Sequence, residues 1–435
     1  MATVWTTAVA PLRLLRNPRR RGRRSRRSSP EAESVRRRSS SSAPASRDSP
    51  PPSPSPGRAP ISRSMAVLIL CFPHSASASV SYSLGVRSLV LEQGDSLRAG
   101  GTSLTLFKNA WRVLDALGVG QDLRREFLEI EGSLQAGNEV DGGKLLRYFT
   151  FKDVDPSQEV RAVERRVLLE TLASRLPADS ISFSSRLKSI SKGETMGTLL
   201  ELEDGTLIHA KVVIGCDGVR SPVAKWLGFS EPRYVGHCAF RGLGVYPEGH
   251  SLDPKVNYVY GRGVRAGYVP VSPTRCTGPR VIDPSALKRE AAEMVVGWPA
   301  ELRNAIDRTP DGSIVRTPLV DRWLWRSSLH LPPPAAWWSP GACCAVEDAV
   351  VLAGKLATAM AGGSRGNAAI DRALEDFCSE RLARVFPLTV RSNLVGSLLQ
   401  NGIVIPKLVM LGPFLEHTNF DCELPGPLSV SSVSG

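Results

Sequence analysis

The fold is decided by the stretch VVIGCDGVRS, which spans residues 212–221. Its β-branched opening, Val212–Ile214, predicts a buried strand, and Ser221 predicts the start of a helix. Between them Asp217 precedes Gly218, and a glycine there allows a ligand to approach the backbone closely. An aspartate in this position can accept a hydrogen bond from a ligand hydroxyl. Asp-Gly is also common in a plain strand-to-helix turn, so both interpretations stay open at this point.

A second acidic residue ends another predicted strand. The stretch RSLVLE, residues 87–92, predicts a buried strand that ends at Glu92. In a βαβ unit that binds a dinucleotide, an acid at the end of the second strand accepts hydrogen bonds from ribose hydroxyls. Glu92 is placed for that role, and an ordinary strand-end acid is the alternative.

The glycine-rich turn that should precede this acid is missing. After the predicted strand Val67–Leu70 the chain reads CFPHSAS, with Pro73 in the turn and no glycine before Gly85. In a dinucleotide-binding unit those glycines let the backbone and a helix N-terminus approach a pyrophosphate. The sequence therefore lacks both features at this point.

Alternating strand and helix patterns predict an α/β fold with a mainly parallel sheet. Residues 235–330 differ, because Val256–Tyr260 and Ala266–Val271 read as antiparallel strands between Gly-rich turns. We predict a discontinuous α/β domain (65–234 and 331–390), an inserted antiparallel-sheet domain (235–330) and a C-terminal extension (391–435). The predicted helices are Leu106–Leu117, Gln121–Phe127, Val163–Leu176, Ser221–Leu227, Pro284–Val296, Ala342–Met360 and Asn367–Phe386.

Nearly all of the net charge lies in the N-terminal tail. The chain of 435 residues carries +13, and residues 1–64 hold 15 Arg, no Lys and three acids, which is +12. This Arg-, Ser- and Pro-rich segment cannot bury enough apolar surface to fold, so we predict that it is disordered and removable. An organelle transit peptide, chloroplast included, and a leader without function are equally good interpretations; the second leaves the protein cytoplasmic. No aromatic residue is interleaved with the arginines after Trp5, which argues against nucleic-acid binding.

The sequence does not favour a metalloprotein, a disulfide-rich protein or a membrane-spanning protein. The eight cysteines form no C-x-x-C pair and the six histidines are scattered, so we predict reduced thiols and no metal site. No apolar run is long enough for a transmembrane segment. The apolar stretch Leu394–Leu415 could pack in the core or make a peripheral membrane contact, and we favour the core.

Five motifs in order resemble the FAD-dependent aromatic-ring hydroxylases, in particular the plant branch that is similar to zeaxanthin epoxidase and salicylate hydroxylase. The resemblance covers roughly 85–430, and it implies a Rossmann-like FAD-binding domain with an inserted substrate domain. The motifs are IGCDGVRS (214–221), GGTSL with FKNAW (100–111), RAVER before Leu168-Leu169 (161–169), AFRG (239–242) and GACCAVEDA (341–349).

The resemblance also implies a reaction and a set of contacts. A nicotinamide cofactor, NAD(P)H, would reduce FAD, and one oxygen atom of O2 would pass to a small organic substrate held between the flavin and residues 235–330. Glu92, Asp217 and Gly218 would bind the ribose and ribityl parts of FAD, and Arg165 would contact the flavin. Gly341 and Ala342 would place a helix N-terminus at the pyrimidine ring, where its dipole favours negative charge. Helix-core packing and a solvated helix-terminal arginine are the simpler alternatives.

Three departures from the family pattern concern the cofactor and the substrate domain. Besides the glycine turn, the Gly-Asp motif expected before Gly341 is absent from residues 331–340, which read LPPPAAWWSP. An aromatic-rich strand is also missing near residues 274–277. A spliced variant, a gene-model error or a decayed copy would each remove such segments. A non-catalytic variant that binds FAD weakly or not at all is therefore the alternative to an active monooxygenase.

Overall fold

The computed structural model describes most of the chain between residues 61 and 400, and a short segment at its N-terminus. The described residues are 2–5, 61–62, 66–70, 79–82, 84–97, 103–137, 145–192, 197–218, 220–261, 264–272, 284–321, 341–361 and 367–400. The predicted losses at residues 71–78, 274–277 and 331–340 lie outside the described residues.

The described residues contain helices between runs of strands. The strands are β1 Ala2–Trp5, β2 Ile61–Ser62, β3 Ala66–Leu70, β4 Ser88–Glu92, β5 Ser103–Leu106, β6 Gly132–Gly137, β7 Leu145–Thr150, β8 Arg161–Glu164, β9 Ile181–Ser182, β10 Leu187–Lys192, β11 Thr198–Leu202, β12 Leu207–Ala210, β13 Val212–Cys216, β14 Arg233–Gly244, β15 Lys255–Tyr260, β16 Arg265–Pro270 and β17 Val315–Asp321. The helices are α1 Lys108–Ala116, α2 Gly120–Glu126, α3 Phe151–Val154, α4 Arg165–Ala173, α5 Pro222–Trp226, α6 Pro284–Glu293, α7 Ala300–Asp307, α8 Gly341–Ala361 and α9 Asn367–Gln400.

A four-stranded sheet in the order β13-β3-β4-β9 is parallel throughout. Residues 79–82 are helical and connect β3 to β4, which makes the βαβ unit that the sequence predicts. In this sheet β3 lies between β4, the next strand along the chain, and β13, which comes much later in the chain. The strand order therefore reverses at β3, and α/β proteins bind ligands beyond the carboxyl ends of their strands at such a point.

A second sheet has seven strands in the order β17-β14-β1-β16-β15-β6-β7. Its neighbouring strands are antiparallel except for β15 and β6. The predicted antiparallel sheet is thus present, but it also takes β6 and β7 from residues 132–150, which the sequence assigned to the α/β domain. Two smaller sheets, β10-β11-β12-β2 and β5-β8, complete the strand pairing of the described residues.

The two faces of the seven-stranded sheet pack differently. Val259 and Tyr268 lie on one face and pack against α7 through Leu302. Val256 and Val269 lie on the other face, in the largest apolar cluster, which also contains residues of α1, α4 and α8. Since side chains alternate along a strand, this second face is the one turned toward the α/β domain.

Several predictions about local structure need correction. Within the tail 1–64 the structure describes only the short strands β1 and β2, and the rest of the tail lies outside the described residues. The pattern of 163–176 divides into β8 and the helix α4, because Ala162 and Val163 are buried in pairing with β5. Helix α9 continues to Gln400, ten residues into the predicted C-terminal extension.

Candidate functional site

Glu92 and Asp217 lie at one edge of the parallel sheet. Leu70 pairs with Cys216 on one side and with Glu92 on the other, so the ends of three strands are level. Asp217 follows Cys216 directly. With neighbouring strands about 4.8 Å apart, the backbones at Glu92 and Asp217 are on the order of 10 Å apart and flank the end of β3. We call this set, with Gly218, the carboxyl edge.

Asp217 is held by the helix that follows it. Its Oδ2 accepts a hydrogen bond from the backbone N–H of Val223 at 3.2 Å, and the carboxylate is buried. Gly218 has a φ of +77°, a conformation that favours glycine, and it is exposed beside the buried acid. A Cβ at Gly215 would lie 2.6 Å from Cβ of Val223, so glycine is also needed where α5 packs on β13.

Glu92 is 4% exposed at the end of β4. Its Oε1 accepts a hydrogen bond from the backbone N–H of Gly94 at 2.8 Å. Its own carbonyl accepts one from the N–H of Ser185 at 2.8 Å, which fixes the strand end. A carboxylate held by its own turn and buried at a strand end is suited to accept hydrogen bonds from ligand hydroxyls.

Arg165 is the first residue of α4 and follows β8 directly. Its neighbour Glu164 pairs with Ser103 of β5 in the two-stranded sheet. Burial raises the pKa of Glu164, although Arg166 lies 3.7 Å away. Helix α4 also touches the crossover segment after β3, where Ser79 Oγ donates to the carbonyl of Leu172 at 3.0 Å. Arg165 therefore stands on a helix that packs against the βαβ unit.

Helix α8 begins at Gly341 and Ala342, next to β5 and α1. The Sγ of Cys343 accepts a hydrogen bond from the N–H of Phe107 at 3.5 Å. Burial raises the pKa of Cys343 to about 12, so its thiol stays protonated at neutral pH. Cys343 is 1% exposed, and a buried, protonated thiol of this kind behaves as a small apolar packing residue. The first half of α8 lies in the largest apolar cluster, whereas Leu356 packs against Val212 at the start of β13.

A buried charge cluster ties α8 to two other helices, and we call it the α1–α8–α9 joint. Glu347 accepts hydrogen bonds from Asn109 at 2.6 Å and from Arg381 at 2.7 Å, and Arg384 lies 3.2 Å from it. Arg381 also bonds Asp348 at 2.5 Å, and both Arg381 and Glu347 are fully buried. Burial lowers the pKa of Arg381, but the ion pairs with these two carboxylates outweigh it and raise that pKa. The joint fixes α8, and with it the helix N-terminus at Gly341.

The sheet face turned toward the α/β domain carries polar groups that the sequence did not single out individually. Tyr258 and Arg241 each lie two residues from a residue of the largest apolar cluster, on the same face of their strands. Tyr258 is 41% exposed, and its ring centroid lies 6.4 Å from that of Tyr260. Burial lowers the pKa of the Arg241 guanidinium. The alternation of β15 and the AFRG motif are the only sequence signals for these side chains.

The described residues contain no cluster of His, Cys, Asp and Glu that could hold a metal ion. Among the helices that the structure describes, none is both long and apolar enough to cross a bilayer.

Several proteins are similar in sequence to this chain. Residues 75–277 match the family described as FAD binding domain. Monooxygenase 2 of Arabidopsis thaliana is 32% identical over 356 residues, covering 74% of this chain and 86% of that protein. Monooxygenase 1 of the same plant is 28% identical over 378 residues, covering 78% and 93%. Aurachin C monooxygenase/isomerase of Stigmatella aurantiaca is 28% identical over 295 residues, covering 62% and 74%.

Solved structures share the fold. Klebsiella pneumoniae HpxO in complex with FAD and uric acid superposes with a TM-score of 0.63 at 19% identity, covering 81% of this chain and 92% of that one. The 2,6-dihydroxypyridine-3-hydroxylase of Arthrobacter nicotinovorans gives 0.58 at 18% identity, covering 79% and 94%. At these identities the likeness concerns the fold alone.

Proposed function

Because the chain belongs to the FAD-dependent monooxygenase family of hydroxylases, we propose that it transfers one oxygen atom from O2 to a small planar organic substrate, with NAD(P)H as the reductant. The other oxygen atom leaves as water, and one NAD(P)H and one proton are consumed for each substrate oxidised. The observation that carries the proposal is the carboxyl edge, where Glu92 and Asp217 flank the point at which the sheet order reverses.

The described residues fit three parts of FAD. Glu92 would accept hydrogen bonds from the adenosine ribose, and Asp217 would do so from the ribityl chain, with Gly218 leaving room at the backbone. Arg165 would lie against the flavin from α4. The N-terminus of α8, at Gly341, would stabilise negative charge on the pyrimidine ring. When bound, FAD would supply the activation of oxygen that these side chains cannot perform.

The substrate would lie on the sheet face that carries Tyr258 and Arg241. An exposed tyrosine ring offers a flat apolar surface for a planar molecule. A guanidinium in a mostly buried position attracts an anionic group more strongly than one in water does. We therefore favour a substrate with an ionised carboxylate or phenolate.

Oxygen-isotope incorporation tests this proposal. The full chain, loaded with excess FAD, would be incubated with 18O2 and NADH or NADPH, with a panel of hydroxybenzoates against neutral phenols. We expect one 18O atom in an anionic product and one NAD(P)H consumed per product. NAD(P)H oxidation that yields only hydrogen peroxide with every compound would contradict it.

A pair of variants tests the role of Arg241. Arg241→Gln should raise KM for the anionic substrate by about tenfold or more, since one charge-assisted hydrogen bond contributes about 1.5–3 kcal/mol. Arg241→Lys, which keeps the charge, is the matched control and should retain part of the affinity. Equal KM values in the two variants would remove Arg241 from the substrate site.

A further inference from the structure

We propose that Gln135 of β6 is a second contact for the substrate, at the opposite end of the site from Arg241, and that the substrate is an elongated planar molecule. It would carry an anionic group at one end and a hydrogen-bonding group at the other. The inference rests on the proposed function and adds the shape of the substrate to it. It is carried by the level at which Gln135, Tyr258 and Arg241 lie on one face of the seven-stranded sheet.

Gln135 lies on the sheet face that is turned toward the α/β domain. It is the register partner of Tyr258, just as Ser133 is the partner of Val256 two residues earlier. Val256 belongs to the largest apolar cluster, and Ser133 is buried. Two residues further along the same strands, Tyr258 is exposed and Gln135 is half-buried. The close packing against the α/β domain therefore ends at this level, where an aromatic ring and an amide are accessible.

Gly267 decides which way the ring of Tyr258 leans. It is the partner of Tyr258 on β16, and a Cβ at Gly267 would lie 3.2 Å from Cδ1 of that ring and 3.6 Å from Cε1. The ring therefore lies over the glycine on one side and does not cover Gln135 on the other. Ligand sites combine flat aromatic surfaces with a few polar groups that fix orientation, and they occur preferentially between domains.

Arg241 lies at the same level of the sheet, on the far side of β1. Leu243 and Val269 are both register partners of Thr3. Arg241 and Gly267 each come two residues before one of these partners, on strands that run in the same direction. They are therefore level with each other, and the row continues through Tyr258 to Gln135.

The distance between the two polar groups sets the length of the ligand. Neighbouring strands lie about 4.8 Å apart, so the spacings from β14 through β1, β16 and β15 to β6 place the Cα atoms of Arg241 and Gln135 roughly 19 Å apart. Both side chains are long, but the ligand groups that they bind must still be well separated. A guanidinium binds an anion, and an amide both donates and accepts hydrogen bonds. The spacing favours two fused aromatic rings with a carboxylate at one end and a hydroxyl at the other.

Three naphthoates of similar size test the spacing. In 6-hydroxy-2-naphthoate the hydroxyl is far from the carboxylate, in 3-hydroxy-2-naphthoate it is adjacent, and 2-naphthoate has none. Titration calorimetry of the full chain with excess FAD should show that the first compound binds about tenfold more tightly than the third, because it makes one further hydrogen bond. The second compound should bind no more tightly than the third.

A matched pair of variants assigns the preference to one side chain. Gln135→Leu keeps the size of the side chain but removes the amide, so the preference for 6-hydroxy-2-naphthoate over 2-naphthoate should fall from about tenfold to about one. Binding of 2-naphthoate itself should not change. Asn257→Leu is the control, because Asn257 is the partner of Tyr268 on the opposite face, which packs against α7. This variant should keep the full preference.

The outcomes separate this inference from the proposed function. A preference that survives Gln135→Leu, or that is lost equally in Asn257→Leu, would overturn the role of Gln135 and leave the monooxygenase proposal standing. Tighter binding of 3-hydroxy-2-naphthoate than of 6-hydroxy-2-naphthoate would overturn the elongated shape. If none of the three binds while the isotope experiment yields an oxygenated product from another anion, the shape is wrong. If none binds and no such product forms, the proposed function fails as well.

Discussion

Two groups of carboxylates in the molecule are held in different ways. At the carboxyl edge, Glu92 accepts a hydrogen bond from the backbone amide of Gly94 in the turn after its strand, and Asp217 accepts one from the backbone amide of Val223 in helix α5. In the α1–α8–α9 joint, Glu347 and Asp348 are bonded by arginines from another helix. The comparison teaches that the carboxylates of the joint are paired with buried arginines, whereas those of the carboxyl edge have no arginine among the hydrogen-bond partners described above.

The largest expected effect concerns the carboxyl edge. Inserting a Gly-x-Gly-x-x-Gly turn after Leu70 and a Gly-Asp segment before Gly341 should tighten FAD binding by several orders of magnitude. Each regained charge-assisted hydrogen bond contributes about 1.5–3 kcal/mol, and each 1.4 kcal/mol is tenfold in affinity. Fluorescence quenching during FAD titration measures the change, and a Ser/Ala insertion of equal length is the control. Tight binding by the unmodified chain would mean that other residues replace the lost turn.

The joint should respond next most strongly. Arg381→Ala leaves two carboxylates buried near each other with one arginine fewer, and should lower the free energy of unfolding by about 3–5 kcal/mol. Arg125→Ala breaks an exposed ion pair with Asp122 on α2 and should leave stability almost unchanged. Urea unfolding of the two variants gives the comparison, and a similar small loss in both would show that the joint is not a structural contact.

The pH dependence of stability sharpens the same point. Burial raises the pKa of Asp348 to about 6, although Arg381 bonds it. A carboxyl with a raised folded-state pKa binds its proton more readily when folded, so its contribution to stability is lost as pH rises from about 4 to about 6. In the wild-type protein the free energy of unfolding should therefore fall by at most about 3 kcal/mol over this range because of Asp348. In the Asp348→Asn variant this part of the fall should be absent. The measurement is the difference in unfolding free energy between the two proteins at each pH, and a difference independent of pH would refute the assignment.

The smallest expected effect on stability concerns the strand β13, which directly precedes Asp217. Gly215→Ala places a Cβ against Val223 and should destabilise the fold by about 1–3 kcal/mol. Gly354→Ala in helix α8 is the control, because no atom lies within 4 Å of the position that its Cβ would occupy. This variant should stabilise the fold by about 0.5–1 kcal/mol. Thermal unfolding distinguishes the two. A neutral Gly215→Ala would show that α5 can move away from β13, and the placement of Asp217 would lose its support.

Much of the candidate site could be predicted from local patterns. The acids Glu92 and Asp217 each follow a short apolar run, and such runs are recognised from neighbouring residues alone. The family resemblance was also correct, and the plant relatives agree with it. The patterns failed where pairing decides the structure. The strand β8 was merged into the following helix, and the long strand β14 was recognised only through its AFRG motif.

The sequence by itself determined which residues favour strands, where acids end them, and which family the chain resembles, because these properties depend on near neighbours and on ordered motifs. Only the tertiary structure decided that Leu70 brings Glu92 and Asp217 to one edge, since strand order is set by contacts between distant segments. It also paired Ala2–Trp5 with two strands more than 200 residues away in the chain, because strand pairing depends on the backbone groups of distant segments and not on local composition.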